Sequence, residues 1–310
     1  MLVKASAPGS LMLLGEYAVL QGKQALVCAI NKRITVTLAE RPDKKIHIAS
    51  QLGHLEVELS KLIITQPFLF ITAVIKKFSK QLPTGFDLRI ESEFSEQVGL
   101  GSSAAVTVAV IKAITVWLNL AYTDEQLIHA ARAIIRQVQG LGSGADTAAC
   151  VLGGIVAYKS SPLQAEKISH QPPITAVYSG YKTPTADAVK QVKNYFSAYP
   201  RIFKHLCQAI DSCTTQGIQS VREQDWPTFG KMLDTQQGLM DSLGVNTPEL
   251  REIITTLRAD HQILGAKISG SGLGDCAIGL GVSKALQFSN EKIQVVPLLI
   301  SLEGVRCEKI

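Results

Sequence analysis

The chain has 310 residues, 46% of them apolar, and a formal net charge of +5. That is too much apolar content for a disordered chain and enough to bury one large or two medium cores, so two domains are expected. Basic residues are scattered, with lysine doublets only at Lys44-Lys45 and Lys76-Lys77, which excludes a basic stripe and with it a nucleic-acid partner.

The N-terminal part reads as strands and hairpins at Leu26 to Ile30, Ile34 to Leu38, Ile46 to Ile48 and Leu55 to Leu59. Turn chemistry at Gln21-Gly22, Asn31-Lys32 and Pro42-Asp43 separates them. A helix from about Pro67 to Lys80 follows, and then Phe86, Leu88 and Ile90 alternate with Asp87, Arg89 and Glu91 as in a half-buried strand. The loop Phe94 to Gly101 feeds an apolar helix beginning near Ser102. Lys112 sits in the middle of its most hydrophobic stretch, Ala104 to Leu120. A charge there would cost roughly 2.5 to 3.5 kcal/mol in a bilayer, so this is expected to be a buried helix of a soluble protein with no membrane partner. Thr123-Asp-Glu-Gln126 supplies a capping box for a helix to about Val138, which Gly140, Gly142 and Gly144 then break.

Gly153-Gly154, a strand at Ile155 to Tyr158 and the loop Ser160 to Pro162 mark the expected boundary, giving domains of residues 1–160 and 161–310. The second part reads as a strand at Ile174 to Tyr178, then helices at Thr185 to Phe196, Arg201 to Arg222, Trp226 to Leu243 and Thr247 to Ala259. Short strands follow at Ala266 to Ser269, Cys276 to Leu280, Ile293 to Val296 and Gly304 to Cys307. This mixed order indicates α+β and argues against a doubly wound parallel sheet. The six cysteines show no CxxC pairing and lie mostly in apolar runs, so they are expected to be reduced and buried. Met1 to Leu14 lacks a continuous apolar core and Glu16 follows at once, so no signal peptide is expected and the location is expected to be cytoplasmic.

Three glycine-rich segments carry the chemistry. Val98-Gly-Leu-Gly-Ser-Ser-Ala-Ala105 opens the apolar helix. Glycines let a backbone approach an anion, and the helix N-terminus aims unpaired N–H groups at it, so phosphate is the natural ligand. No Gly-Lys-Ser/Thr follows these glycines, so this is not a Walker loop; a plain serine-capped turn is the alternative. Lys267-Ile-Ser-Gly-Ser-Gly-Leu-Gly-Asp275 forms a second such turn, and Ala5-Ser-Ala-Pro-Gly-Ser-Leu-Met-Leu-Leu-Gly-Glu-Tyr-Ala-Val-Leu20 stands at the N-terminus. Asp146, in Gly142-Ser-Gly-Ala-Asp146, is either a helix cap or a carboxylate placed to accept a proton.

In order and spacing these segments resemble the three motifs of the GHMP kinases, over essentially the whole chain. The resemblance implies a ribosomal protein S5 domain 2-like N-terminal domain, a ferredoxin-like C-terminal domain and a site in the cleft between them. It implies ATP and Mg2+ at Val98, Gly99, Leu100, Gly101, Ser102, Ser103 and Ala104, with Ser103 on the metal. Asp146 takes the position of the catalytic aspartate, and Glu16, Tyr17, Lys182, Thr185, Ser271 and Gly272 are the substrate-side residues. Two positions depart from the family pattern: Ser10 stands where a lysine usually supports the aspartate, and Ile135 stands near the place of the magnesium-binding glutamate.

Gly15-Glu-Tyr-Ala-Val-Leu20 and Leu243-Gly-Val-Asn-Thr-Pro-Glu-Leu250 resemble segments of the mevalonate-specific members, while Tyr17 and Asp275-Cys276 resemble the phosphomevalonate-specific ones. The cations in or beside the motifs are Lys4, Lys23, Lys182 and Lys267, with no arginine. Mevalonate is therefore the expected acceptor and phosphomevalonate the alternative. The two departures also leave open a non-catalytic nucleotide-binding relative acting as a sensor or regulatory partner, and the resemblance admits a homodimer.

Overall fold

The computed structural model describes residues 1–95, 98–283 and 286–310. Its larger sheet has the order β12-β1-β2-β5-β3-β4, and β6 adds to β2 with β7 beyond it. The strands are β1 (Leu2–Leu14), β2 (Gln24–Glu40), β3 (Lys45–Ser50), β4 (Gly53–Glu58), β5 (Phe86–Ser92), β6 (Ile155–Ser160), β7 (Leu163–Ile168) and β12 (Arg306–Lys309). All pairings in it are antiparallel except β3 with β5. Helices α1 (Leu69–Phe78), α2 (Ser102–Trp117), α3 (Asp124–Gln139) and α4 (Ala145–Leu152) pack with it. The smaller sheet, β11-β8-β10-β9, consists of β8 (Ile174–Tyr178), β9 (Ala266–Ser269), β10 (Cys276–Leu280) and β11 (Gln294–Val296). It is accompanied by α5 (Thr185–Tyr195), α6 (Pro200–Glu223), α7 (Trp226–Ser242) and α8 (Pro248–Ala259).

Strand alternation explains how the two layers join. Along β2, Ala25, Val27 and Ala29 point into the core beneath α2 and α4, whereas Leu26, Cys28 and Ile30 point into a second core shared with the smaller sheet. That second core takes Leu11 and Leu13 from β1, Ile218 from α6, Phe229 from α7 and Ile278 from β10. A third core, with Val177, Ile253, Leu257 and Ile268, lies on the far side of the smaller sheet. Where the large sheet is covered on both faces, along β1 and the first half of β2, the strands are buried almost continuously, whereas β5 keeps the alternating pattern expected of a half-buried strand.

Several expectations change here. Asn31-Lys32 is no turn, because β2 runs through it; the register with β1 shifts between Pro8 and Ser10, a bulge that absorbs the irregularity. Asn31 is held from outside the sheet, its N–H donating to the Leu299 carbonyl at 2.9 Å. The last strand lies at Arg306–Lys309, two residues beyond the expected start, and pairs with β1. A division after residue 160 would cut the β6–β7 hairpin, and β12 returns to the first sheet. The loop expected over Phe94 to Gly101 includes residues 96 and 97, which lie outside the described residues.

The helical expectations agree closely. Thr123 caps α3 through a capping box with Gln126, and α2 is buried along most of its length. No helix among the described residues is long and apolar enough to cross a membrane. All six cysteines are free thiols, five of them buried.

Candidate active site

The three glycine-rich segments converge on one cavity of about 530 Å³. Ser10, Glu16 and Tyr17 come from the N-terminal motif, Gly99 and Gly101 from the loop before α2, Ser102 to Ala104 from its first turn, Ser269 from the end of β9, and Gly270, Ser271 and Asp275 from the β9–β10 turn. Gly142, Ser143 and Gly144 between α3 and α4 and Asp146 at the start of α4 form one wall, and Lys182 and Thr185 approach from the entry to α5.

Gly101 begins α2 in the left-handed region at φ 69°, and a Cβ there would stand 2.1 Å from the Ser10 hydroxyl oxygen. Only glycine fits at this point, and the α2 N-terminus therefore opens directly onto the cavity. Ser10 itself is 1% exposed; its N–H donates to the Leu100 carbonyl at 3.0 Å and its hydroxyl donates to Asp146 Oδ1 at 2.8 Å. Asp146 lies in the first turn of α4, behind Gly144 at φ 94°. Burial pushes its carboxyl above the usual carboxylate range, opposed by the Ser10 hydrogen bond and by Lys182, while Glu16 adds to the rise.

The predicted residues fall into two groups. Gly99, Gly101, Ser102, Ser103, Ala104, Asp146, Glu16, Tyr17, Lys182, Thr185 and Ser271 all line the cavity. Val98, Leu100 and Gly272 do not: Val98 offers its carbonyl to the Cys276 thiol at 2.9 Å, Leu100 is buried, and Gly272 packs against Val245. Glu16 is in the cavity wall, but its carboxylate is already engaged. Lys267 and Gln236 donate to its two oxygens and the Gly270 N–H donates at 3.2 Å. This ion pair is almost fully buried and ties the first motif to the third. Lys267 is consequently withdrawn from substrate recognition. Tyr17 donates its hydroxyl to the Ser271 carbonyl at 2.6 Å, and burial pushes that phenol up.

Beside the departure at Ile135, which the sequence shows, two features of the cleft escape sequence reasoning: the buried carboxylate of Asp275 in its wall and a second chamber. Ile135 does reach the cavity wall, touching Gly142, and brings no carboxylate. Asp275 does bring one: it is 5% exposed, its Oδ1 accepts no hydrogen bond, and burial pushes its carboxyl up to about 6 against the pull of Lys182. Beyond Tyr17, Leu20 and Leu141, which it shares with the cavity, lies a second chamber of about 790 Å³. Lys23, Arg132, Arg136, Lys193 and Lys204 line it with no carboxylate among its described lining residues. The two arginines, absent from the motif segments, come from α3. Arg132 passes behind Gly144, its Nη1 donates to the Ser160 carbonyl at 3.0 Å, and its buried Nε has no partner.

Among the described residues no cluster of three or more His, Cys, Asp or Glu could hold a metal ion alone. A magnesium ion arriving with a nucleotide needs less, because phosphate oxygens and water supply most of its six ligands. The Ser103 hydroxyl and the orphaned Asp275 oxygen suit that donor chemistry.

Comparison with known proteins agrees with this arrangement. The family profile described as GHMP kinases N terminal domain matches residues 69–154, and GHMP kinases C terminal matches residues 218–289. A mevalonate kinase of Methanothermobacter thermautotrophicus is 30% identical over 275 residues, covering 88% of each chain. A mevalonate kinase of Pyrococcus furiosus is 28% identical over 340 residues, covering 100% of this chain and 99% of its own. In fold, the Lin0012 protein of Listeria innocua superposes with a TM-score of 0.87 at 23% identity, covering 100% of both chains. With the first profile taking in the phosphate loop and Asp146 and the second the β9–β10 turn, the chain belongs to the GHMP kinases.

Proposed function

We propose that this protein transfers the γ-phosphoryl group of ATP to the primary hydroxyl of mevalonate, giving 5-phosphomevalonate. The observation that carries this reading is the double use of Ser10, whose backbone joins the phosphate loop and whose hydroxyl holds the Asp146 carboxylate at 2.8 Å. Phosphoryl transfer needs little covalent help from a protein; it needs an in-line hydroxyl, an acceptor for its proton and compensation for phosphate charge. The amides of Gly99 to Ala104 and the α2 N-terminus would hold the triphosphate. Asp146 would accept the hydroxyl proton, and its raised affinity for protons suits that task. Magnesium, when bound with Ser103, would neutralise charge on the phosphate oxygens. Lys182 attracts Asp146 electrostatically and so supplies the positive charge that Ser10 lacks. Lys182 and Thr185, at the same wall, would receive the acceptor carboxylate.

The full-length likeness to mevalonate kinases supports the acceptor. The cation-lined chamber favours a second reading, phosphomevalonate, because an acceptor extending past Tyr17 and Leu20 would bring its phosphate among Arg132, Arg136 and Lys193. A coupled assay with mevalonate, phosphomevalonate, homoserine and galactose at saturating MgATP tests both. Mevalonate should give the highest kcat/KM, and a preference for any other acceptor replaces the assignment.

A further inference from the structure

Asp275 closes the turn between β9 and β10 in a backbone conformation that L-residues seldom adopt, at φ 65°. Two backbone hydrogen bonds hold it there, Asp275 N–H to the Tyr181 carbonyl and Ser179 N–H to the Asp275 carbonyl, both at 2.9 Å. The outcome is an aimed side chain. Its carboxylate rests against the first glycine of the phosphate loop, so closely that a Cβ on Gly99 would stand 2.8 Å from Oδ1. That oxygen is buried and accepts no hydrogen bond.

A carboxylate at the rim of an anion-binding loop is a contradiction unless a cation comes between them. At about 4 Å two like charges repel by several kcal/mol at an effective dielectric of 20. Lys182 attracts Asp275, but it also attracts Asp146, so one positive charge serves two carboxylates before any phosphate arrives. Resting on the reading that ATP occupies this loop, we propose that Asp275 supplies the protein carboxylate that ligates the nucleotide-bound divalent cation. It does so from the β9–β10 turn, replacing the carboxylate that Ile135 leaves out of α3. The cation would sit between the orphaned Oδ1 and the phosphates, with the Ser103 hydroxyl lining the same cavity. One carboxylate, a hydroxyl, phosphate oxygens and waters make a normal magnesium sphere.

The test uses Mn2+ as the probe, a non-hydrolysable ATP analogue and no acceptor, so it does not depend on which alcohol is phosphorylated. Free Mn2+ is followed by electron paramagnetic resonance, and metal-free nucleotide binding by calorimetry in chelator. For Asp275→Asn we expect Mn2+ affinity of the protein–nucleotide complex to fall at least 10-fold, while metal-free nucleotide binds several-fold more tightly because a repelling charge is gone. A residue that only shapes the turn would not move these two affinities in opposite directions. Unchanged Mn2+ affinity, or loss of nucleotide binding with and without metal in a folded variant, overturns the assignment. Should the variant fail to fold, 13C-aspartate labelling of Asp146→Asn protein reads the same point. A directly bound carboxylate carbon beside Mn2+ supports Asp275, and its absence overturns it. Wild-type protein that binds no nucleotide would bring down the kinase reading as well.

Discussion

The Ser10 hydroxyl donates to Asp146 across 136 positions of sequence, at 2.8 Å, while the Ser10 N–H holds the phosphate loop through the Leu100 carbonyl. Removing the hydroxyl with Ser10→Ala deletes a hydrogen bond to a charged acceptor, an interaction contributing about 1.5 to 3 kcal/mol. We expect kcat to fall about 10-fold with little change in the KM for ATP. Ser10→Lys, which the family pattern offers as a restoration, is expected to abolish activity. Gly101 leaves no room beside Ser10, which is 1% exposed, and Lys182 already attracts Asp146. Steady-state kinetics on both variants check the pair of outcomes, and an active Ser10→Lys enzyme would show that the loop can move aside.

Asp146→Asn keeps shape but removes the proton acceptor, and kcat should drop at least ~100-fold with ATP affinity nearly intact. The pH dependence follows from the direction of the carboxyl's shift. Burial raises its proton affinity, a base works only when ionised, and so kcat should decline as pH falls through a value above the ordinary carboxylate range. Ser10→Ala removes the largest of the influences that oppose the rise, so its acid limb should move to higher pH. A limb at the ordinary aspartate value in both proteins would mean that Asp146 is a helix cap and no base.

Gly101→Val places a branched side chain at φ 69° and within 2.1 Å of the Ser10 oxygen. Nucleotide affinity measured by calorimetry should fall by at least ~100-fold in protein that keeps its circular dichroism spectrum. An unchanged affinity would take the loop out of the site.

The Glu16–Lys267 pair joins residues 251 positions apart, with side chains 3% and 0% exposed. Removing one partner leaves an uncompensated buried charge, costing about 3 to 5 kcal/mol, whereas removing both costs less. Glu16→Gln and Lys267→Met should each lower Tm sharply, and the double variant should recover part of the loss. Additive losses in thermal melts would show that the two side chains act independently.

How much of this could be read from the sequence depends on whether the signal was local. The α3 capping box, the strands Ile174–Tyr178, Ala266–Ser269 and Cys276–Leu280, and the motif order all rest on neighbouring residues, and the structure agrees with them. Strand β1 gave no such signal, because it is covered on both faces and its apolar run lacks a period of two. Helix α4 was hidden behind three glycines, of which Gly144 turned out to be its N-terminal cap. Glu16 reads in the sequence as a substrate-side residue and lines the cavity, but its engagement by Lys267 and Gln236 exists only in the fold. Arg132 and Arg136 carry no site signal in the sequence for the same reason. They lie one turn apart on α3, outside every motif, and meet Lys23 and Lys193 only once α5 and the N-terminal motif close around them.

That arginine pair decides the last prediction. A phosphate held between two guanidinium groups gains about 1.5 to 3 kcal/mol from each charge-assisted bond, or roughly 10-fold to 150-fold in affinity. Arg132 keeps Nε unpartnered and Arg136 is exposed on the chamber side, so both can be addressed by substitution. On the proposed assignment the single carboxylate of mevalonate is met by Lys182 and Thr185, and mevalonate need not enter the chamber. In Arg132→Gln/Arg136→Gln protein the KM for mevalonate should therefore stay within about threefold of wild type. Any activity or inhibition by phosphomevalonate should weaken at least 10-fold. Arg136→Gln alone leaves Arg132 in place against Gly144, next to the Asp146 turn, and so separates the loss of one charge from the loss of that packing. If mevalonate kinetics collapse in the single Arg136 variant, the chamber belongs to the mevalonate site itself, and the carboxylate is bound there and not at Lys182.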